Sequence, residues 1–126
     1  MIPTVTLWTL HELENKRLSE THLASEKAMK NYQRGEPSNT LYVKNLARTV
    51  ELADLLAVFG AVLPPEIGLE ALNIRHFTVG RMKCQAFVSF PTIDLASTAL
   101  RHVHGVVLKD KPVVVVGGQH FDGMCI

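Results

Sequence analysis

The sequence has few of the residues that characterise disulfide-rich and metal-binding proteins. Its 126 residues include two cysteines, and the aromatic side chains, one Trp, two Tyr and five Phe, make up 6% of the chain. Two cysteines are too few for a disulfide framework, and Cys84 and Cys125 form no CxxC pair of the kind that zinc sites use. We therefore expect a reducing compartment and no structural zinc.

An excess of charge of either sign is also absent. Thirteen Lys and Arg residues stand against twelve Asp and Glu residues, which gives a net charge of +1. Such a chain has no general field that attracts nucleic acid or an anionic membrane, so any such partner must be bound by local features. No stretch approaches the ~18 apolar residues of a membrane span, and the N-terminus lacks the pattern of a signal peptide. We expect no membrane partner and a location in the nucleus or the cytosol.

Signs of catalysis are missing as well. The sequence shows no recognisable Ser/His/Asp, Cys/His or paired-carboxylate arrangement, and it contains no GxGxxG or Walker loop. Its six histidines lack the second cluster of ligands that a metal site requires. We therefore expect a protein that is not an enzyme and that holds no metal and no cofactor.

The first part of the chain has the pattern of a short helical arm. Thr9 and Glu12 form a capping-box pattern, which predicts a helix over residues 10–16. Ser19 is placed to begin a second, weakly amphipathic helix over residues 20–30. Pro37 and its neighbours then end the arm in a turn.

The length of the chain favours one domain, since it lies below the roughly 150 residues of an average domain. The composition, with 47% hydrophobic residues, is that of a folded globular protein. We divide the chain into an N-terminal arm over 1–37, a main fold over 38–117 and a C-terminal tail over 118–126. Met1 lies close to the arm and the tail is short, which suggests a fragment of a longer protein.

Strands and helices alternate along the main fold. Thr49 is placed to begin the first helix, whose apolar stripe comprises Leu52, Leu55, Leu56 and Phe59. The full order is strand 40–43, helix 50–59, strand 72–77, strand 84–90, a helix between Thr92 and Gly105, and a final strand or strand pair over 106–108 and 113–116. This βαββαβ order is typical of a ferredoxin-like α+β sandwich.

Two aromatic residues are predicted on the solvent-facing side of the sheet. Each helix has one apolar stripe, so both helices must cover one sheet face and leave the other to solvent. The period-two alternation places Leu41 and Val43 toward the helices and Tyr42 toward solvent. The same alternation places Phe87 on this outer face, on the neighbouring strand. Such a pair of exposed aromatics indicates a binding surface rather than a core.

These strands resemble the two conserved motifs of the RNA recognition motif (RRM) family. Leu41-Tyr42-Val43-Lys44-Asn45-Leu46 is similar to the six-residue motif, and Lys83-Cys84-Gln85-Ala86-Phe87-Val88-Ser89-Phe90 to the eight-residue motif. The resemblance implies that Tyr42 and Phe87 stack on unpaired bases. It also implies that Lys44 and Lys83 meet phosphates or base edges, and that Asn45 binds a base or fixes the following loop.

The eight-residue motif further resembles that of RRMs that bind spliceosomal snRNA hairpins, including snRNP A-type RRMs. Gln85 stands where most RRMs have an aromatic residue. In the RRMs that bind snRNA hairpins, the Gln at this position still packs on a base. The preceding loop, with Arg81, Met82 and Lys83, is then implied to insert into the RNA hairpin loop. Cys84 stands where the family usually has Gly, and we expect its small apolar side chain to be accommodated by repacking.

The arm strengthens this resemblance. Arg17-Leu18-Ser19 and Asn31-Tyr32-x-x-Gly35-Glu36-Pro37 are similar to the N-terminally expanded RRMs of the minor spliceosome, in which the arm packs on the RRM and supports RNA binding. Tyr32 is then implied to anchor the arm or to contact RNA. After the last strand, where related domains have Gln and an aromatic, this chain has Gly117-Gly118. Gln119 and His120 are the residues that a tail folded over the sheet would offer.

The resemblance implies an RNA-binding module in pre-mRNA splicing. Its expected ligand is the single-stranded loop of a spliceosomal snRNA hairpin, with a minor-spliceosome 3′ terminal stem-loop preferred. The expected partners are that hairpin and other snRNP proteins, in the nucleus, with the chain itself monomeric. The alternative is a protein-interaction RRM whose sheet is covered by its own arm or by a spliceosomal partner.

Overall fold

The main fold has the alternating strands and helices that its sequence predicts. A computed structural model describes residues 6–30 and 32–117. Its helices are α1 Leu10–Lys16, α2 Glu20–Ser25, α3 Leu52–Gly60 and α4 Ile93–Val103, and its strands are β1 Thr40–Lys44, β2 Asn73–Phe77, β3 Gln85–Ser89, β4 Val107–Leu108, β5 Lys111–Pro112 and β6 Val114–Gly117. Four strands form one antiparallel sheet in the order β2-β3-β1-β6. The predicted ferredoxin-like α+β fold is therefore confirmed.

The arm begins with the predicted capping box. The Glu12 amide donates to the Thr9 hydroxyl at 3.0 Å, and the Thr9 amide donates to the Glu12 carboxylate at 3.0 Å. Ser19 accepts from the His22 amide and begins α2. The second predicted helix is interrupted, because Glu26 adopts an extended conformation between α2 and a single 3₁₀ turn over Lys27–Met29.

The predicted start of α3 is wrong. Thr49 lies in a turn, and α3 begins after Glu51, whose amide donates to the Asp54 carboxylate at 2.8 Å. Leu52 consequently lies in the first turn and is 45% exposed, whereas Leu55 and Phe59 are fully buried. The acidic pair replaces the hydroxyl that was expected to cap the helix.

The core lies between the two long helices and one face of the sheet. Leu41 pairs with Val88 and Val43 pairs with Ala86, and all four side chains are buried. On the helix side, Thr92 caps α4, as predicted, and the helix ends before Gly105, which has a φ of +87°. Glycine adopts this left-handed conformation without the strain that other residues incur.

The segment after α4 forms a strand pair and then a sheet strand. Strands β4 and β5 pair only with each other, whereas β6 pairs with β1 at the edge of the main sheet. The final strand is therefore Val114–Gly117.

No helix in the described part of the chain is long and apolar enough to cross a membrane.

The arm shares the core of the main fold. Leu13 of α1 is fully buried in the core, and Trp8 packs against the same cluster while its amide donates to the Ala57 carbonyl. Further along, the Arg17 Nε donates to the His104 carbonyl at 2.8 Å. These contacts fix the arm to both α3 and the end of α4.

Candidate nucleic-acid interface

The strand register defines the outer face of the sheet, the face turned away from α3 and α4. Side chains of directly paired residues lie on the same face of a sheet. Two rows cross the outer face from β2 to β6: the first comprises Arg75, Phe87, Tyr42 and Val116, and the second comprises Phe77, Gln85, Lys44 and Val114. Both conserved-motif strands therefore contribute to this face at its centre.

The expectation that Tyr42 faces solvent is wrong. Tyr42 is 2% exposed and belongs to an apolar cluster with Met29, Val114 and Val116. Leu23, Ala28 and Tyr32 of the arm also pack against this cluster. The arm therefore lies on the β1 and β6 half of the outer face. Its apolar residues form too weak a pattern in the sequence to show that they pack on the sheet.

Tyr42 is connected to both neighbouring motif residues on β3. Its hydroxyl donates a hydrogen bond to the Gln85 side-chain carbonyl. Its ring lies 5.3 Å from the ring of Phe87, at an interplanar angle of 36°. The Lys44 ammonium lies 5.7 Å from the centroid of the Tyr42 ring. The structure thus brings together four of the predicted site residues.

The β2 edge adds two residues that the sequence analysis missed. The Phe77 ring meets that of Phe87 edge to face, with 5.6 Å between the centroids. The Arg75 guanidinium carbon lies 5.5 Å from the centroid of Phe77, within the range of a cation–π contact. Arg75 is exposed, and Phe77 and Phe87 are half-buried. The alternation of β2 already places Arg75 and Phe77 on one face, and this was the signal that could have found them.

The Asn45 side chain is directed to β5 rather than to the outer face. Its φ is +62°, and its side-chain amide donates to the Pro112 carbonyl at 2.8 Å. Asn tolerates this left-handed conformation better than most residues do. This bond joins the end of β1 to the β4–β5 hairpin and not to the loop that follows β1, so the expected role in fixing that loop is not seen, and a contact with a base stays a prediction.

The loop between β2 and β3 presents the predicted cations. Arg81 and Lys83 are exposed, whereas Met82 between them is partly buried and packs against the apolar cluster of the outer face. The Lys83 amide donates to the Gly80 carbonyl at 3.2 Å, and Gly80 has a φ of +79°. Met82 therefore attaches the loop to the sheet, and the two charged side chains remain accessible.

Cys84 occupies a conformation that favours glycine. Its φ is +65°, and a left-handed conformation costs an L-residue roughly 1–2 kcal/mol. The side chain packs against the main core, on the helix side as expected. The Cys84 backbone closes the loop, since its amide donates to Phe77 at 2.9 Å and its carbonyl accepts from Leu46 at 3.1 Å.

Tyr32 joins the arm to the sheet. Its hydroxyl donates to the Val115 carbonyl at 2.6 Å, and its ring stacks on His104 with 4.1 Å between the centroids. The His104 Nδ1 in turn accepts from the Val115 amide at 3.1 Å. Burial raises the pKa of Tyr32 to about 12 and, with a smaller contribution from Arg17, lowers the pKa of His104 to about 4. Both side chains are therefore neutral at pH 7.

Gln119 and His120, expected to replace the usual base contacts after the last strand, lie outside the described residues. Within residues 6–30 and 32–117, no group of three or more His, Cys, Asp or Glu side chains is arranged to hold a metal ion.

Comparison with known proteins identifies relatives of this chain. The chain is 39% identical over 112 residues to the U11/U12 small nuclear ribonucleoprotein 65 kDa protein of Arabidopsis thaliana, a match that covers 88% of this chain and 25% of that protein. It is 42% identical over 106 residues to RNA-binding region-containing protein 3 of Danio rerio, which covers 82% of this chain and 21% of that protein. The chain thus spans a quarter or less of these relatives.

A solved structure and a family model agree with these relatives. The solution structure of the C-terminal RRM domain of the U11/U12 65K protein superposes with a TM-score of 0.80 at 34% identity, over 94% of this chain and 88% of that one. The model of the RNA recognition motif matches residues 41–114. The resemblance of the two strand motifs is thereby confirmed, and the chain belongs to the RNA recognition motif family, whose members are RNA-binding domains and not enzymes.

Proposed function

We propose that this chain recognises the single-stranded loop of a spliceosomal snRNA hairpin, most specifically the 3′ terminal stem-loop of a minor-spliceosome snRNA. The observation that supports this best is the continuous group of Arg75, Phe77 and Phe87 on the outer face, next to the loop with Arg81 and Lys83. RRMs bind unpaired bases by stacking them on such aromatic rings.

The β3 and β2 half of the outer face is the part that we assign to base stacking. Phe87 and Phe77 are half-buried, so their rings are held by the protein and still offer surface to a base. Arg75 adds a planar guanidinium beside them. Each aromatic platform of this kind contributes about 1–3 kcal/mol per base in RNA-binding proteins.

Tyr42 acts in this proposal by positioning its neighbours. Its burial in the apolar cluster leaves little ring surface for a base, in contrast to the role implied by the family resemblance. Its hydroxyl holds the Gln85 carbonyl oxygen, which leaves the Gln85 amide group as a donor to a base edge. Its ring supports that of Phe87 at 5.3 Å.

The charge distribution supports recognition of one RNA in preference to general affinity. The net charge is +1, and Lys44, Arg81 and Lys83 are the cations that meet phosphates in the proposed contact. For single-stranded RNA the slope of log Kobs against log salt is about −0.7 per phosphate contacted, so we expect a slope of about −2 to −3. A polybasic binder would have a much steeper dependence.

The assembly in which the domain acts is proposed from its relatives. Two of them carry the names U11/U12 small nuclear ribonucleoprotein 65 kDa protein and RNA-binding region-containing protein 3. We propose by analogy that this chain works in the nucleus, in a minor-spliceosome particle with other snRNP proteins. We also propose that the domain is monomeric when it binds the hairpin.

Titration with the full set of spliceosomal snRNA hairpins tests this function. Wild type should bind one hairpin in preference, and Phe87→Ala should weaken that binding roughly 5- to 150-fold, the equivalent of 1–3 kcal/mol. Ile93→Ala is the matched control, because Ile93 is a 51% exposed apolar residue on α4, outside the proposed interface. Failure of wild type to bind any hairpin, or equal binding by Phe87→Ala, would contradict the proposal.

The arm on the sheet favours one second candidate, a protein-interaction RRM. Its basis is the burial of Tyr42 within a cluster that includes Met29 of the arm. In that case a spliceosomal protein would occupy the remaining outer face. This alternative would be supported if wild type bound no hairpin and if Phe87→Ala lost the binding of a protein partner that wild type retains.

A further inference from the structure

A basic cleft lies at the end of the sheet beside the proposed RNA-binding face. It has a volume of about 390 Å³ and lies between the loop that follows β1 and the loop between β2 and β3. Its lining includes Ala47 and Arg48 from the first loop, Phe77 from the end of β2, and Val79 and Lys83 from the second loop. The volume falls within the roughly 300–1,000 Å³ of small-molecule sites. Phe77 also belongs to the outer face, so the cleft continues that face around its edge.

The charges in the cleft suit an anion. Arg48 and Lys83 are both exposed, and none of the residues that line the cleft is acidic. Within the described part of the chain, the salt bridge present joins Lys109 to Asp54 and involves neither of these cations. Neither cation therefore has to leave an ion pair to contact a phosphate.

The remaining walls suit a nucleobase. Phe77, Val79 and Cys84 provide apolar surface, and Val79 is 80% exposed. His76 contributes an imidazole whose pKa is lowered by burial, so that its neutral form offers one donor and one acceptor to a base edge. An apolar wall with one neutral polar group and two cations on the rim matches the base and the phosphate of a nucleotide.

The two loops are already held together in the free protein. The Leu46 amide on the first loop donates to the Cys84 carbonyl on the second at 3.1 Å. The Cys84 amide donates to the Phe77 carbonyl at 2.9 Å, which closes the β2–β3 loop. A cleft fixed by backbone hydrogen bonds needs little ordering when it binds a ligand, and this favours affinity.

We propose that this cleft binds a single ribonucleotide that leaves the stacked run of the RNA, with Arg48 and Lys83 on its phosphate and Phe77 and Val79 against its base. The inference rests on the proposed RNA-binding function and adds a subsite to it. Arg48 becomes a phosphate-binding residue that lies outside both conserved strand motifs.

Titration with single nucleotides tests the cleft separately from the stacking face. Adenosine and uridine 5′-monophosphates, adenosine, uridine and inorganic phosphate are each added to the chain, and backbone amide shifts are followed by NMR. At least one of the two monophosphates should shift Thr78, Val79 and Cys84 at millimolar concentration, more strongly than phosphate or its nucleoside alone. Phe87 does not line the cleft, but its ring meets that of Phe77; these shifts should therefore persist in Phe87→Leu, which keeps an apolar side chain against Phe77 and removes the aromatic ring. If inorganic phosphate alone reproduced these shifts, the base would not contact the apolar wall. If neither monophosphate produced them, the proposal would be overturned.

A charge-removal pair tests the same site with the hairpin RNA. Arg48→Gln should weaken nucleotide and hairpin binding at least threefold and reduce the salt slope by about 0.7, the loss of one phosphate contact. Arg101→Gln is the matched control, since Arg101 is an exposed arginine on α4 that does not line the cleft. Equal behaviour of the two variants would overturn the role of Arg48. Weakened hairpin binding in Phe87→Leu with an intact nucleotide response would separate this subsite from the stacking function.

Discussion

The Tyr32 ring stacks on the His104 imidazole with 4.1 Å between the centroids, and both side chains bond to the same residue, Val115. Tyr32 belongs to the arm and Val115 to the strand at the sheet edge. The pair therefore joins the arm, the end of α4 and the sheet at one point. Its geometry requires a neutral imidazole, because Nδ1 accepts the Val115 amide.

Acid should weaken this junction through His104. The pKa of His104 in the folded protein is about 4, lowered by burial from the usual 6.5. A depressed pKa means that the unfolded chain binds the proton more readily, so stability is retained above about pH 6.5 and lost as the pH falls toward 4. The expected loss in the free energy of unfolding is about 3 kcal/mol, at roughly 1.4 kcal/mol for each pH unit between 6.5 and 4.

Urea unfolding of wild type and His104→Gln at several pH values measures this effect. Carboxylates titrate in both proteins, so the difference between the two curves isolates His104. Wild type should lose its advantage over His104→Gln between pH 6.5 and 4. Two curves that remain parallel over this interval would show that His104 does not control the junction.

Removal of the Tyr32 hydroxyl should loosen the arm without unfolding the domain. Tyr32→Phe keeps the ring on His104 but loses the bond to Val115. We expect a loss of about 1 kcal/mol in the free energy of unfolding, the usual net value of one hydrogen bond. Hydrogen exchange should be faster at the arm amides of Met29 and Leu23, and unchanged at those of β3. Equal acceleration in β3 would indicate a general loss of stability instead.

The fold was predictable from sequence because its signals are local. The alternation in β1 and β3 and the Thr92 cap each depend on neighbouring residues, and the structure confirms them. The start of α3 was missed, since Glu51 and Asp54 form an acidic capping pair where a hydroxyl at Thr49 was expected.

The site was predictable only in part because the arm contacts are long-range. Met29 and Tyr42 are far apart in the chain, and nothing in the weak pattern of the arm showed that the two residues share a cluster. The alternation of β2 placed Arg75 and Phe77 on one face, but only the register of β2 on β3 showed that this face adjoins Phe87. The identities of the central residues were therefore available from the motifs, but their exposure depended on tertiary packing.

The Cys84→Gly variant should be more stable than the Cys84→Ala variant. Its φ of +65° costs an L-residue roughly 1–2 kcal/mol, and glycine avoids this cost. Against this, glycine lowers the stability by about 0.4–1 kcal/mol, because it gives the unfolded chain more conformational entropy. In urea unfolding, the free energy of unfolding of Cys84→Gly should thus exceed that of Cys84→Ala by roughly 0.5–1 kcal/mol. Both variants lack the thiol, so the comparison isolates the backbone, and a more stable Cys84→Ala would contradict the strain.

The two tyrosines of the chain provide matched variants for the role of Tyr42. Tyr42→Phe keeps the buried ring but removes the hydroxyl that holds Gln85, so the free energy of unfolding should fall by about 1 kcal/mol. RNA affinity should fall roughly 2- to 10-fold, because Gln85 is no longer fixed for a base contact. Tyr32→Phe removes a hydroxyl from the same side of the sheet without a bond to Gln85, and its hairpin affinity should stay within twofold of wild type. Both affinities are measured by titration with the hairpin that wild type prefers, and equal losses in the two variants would remove the case for positioning by Tyr42.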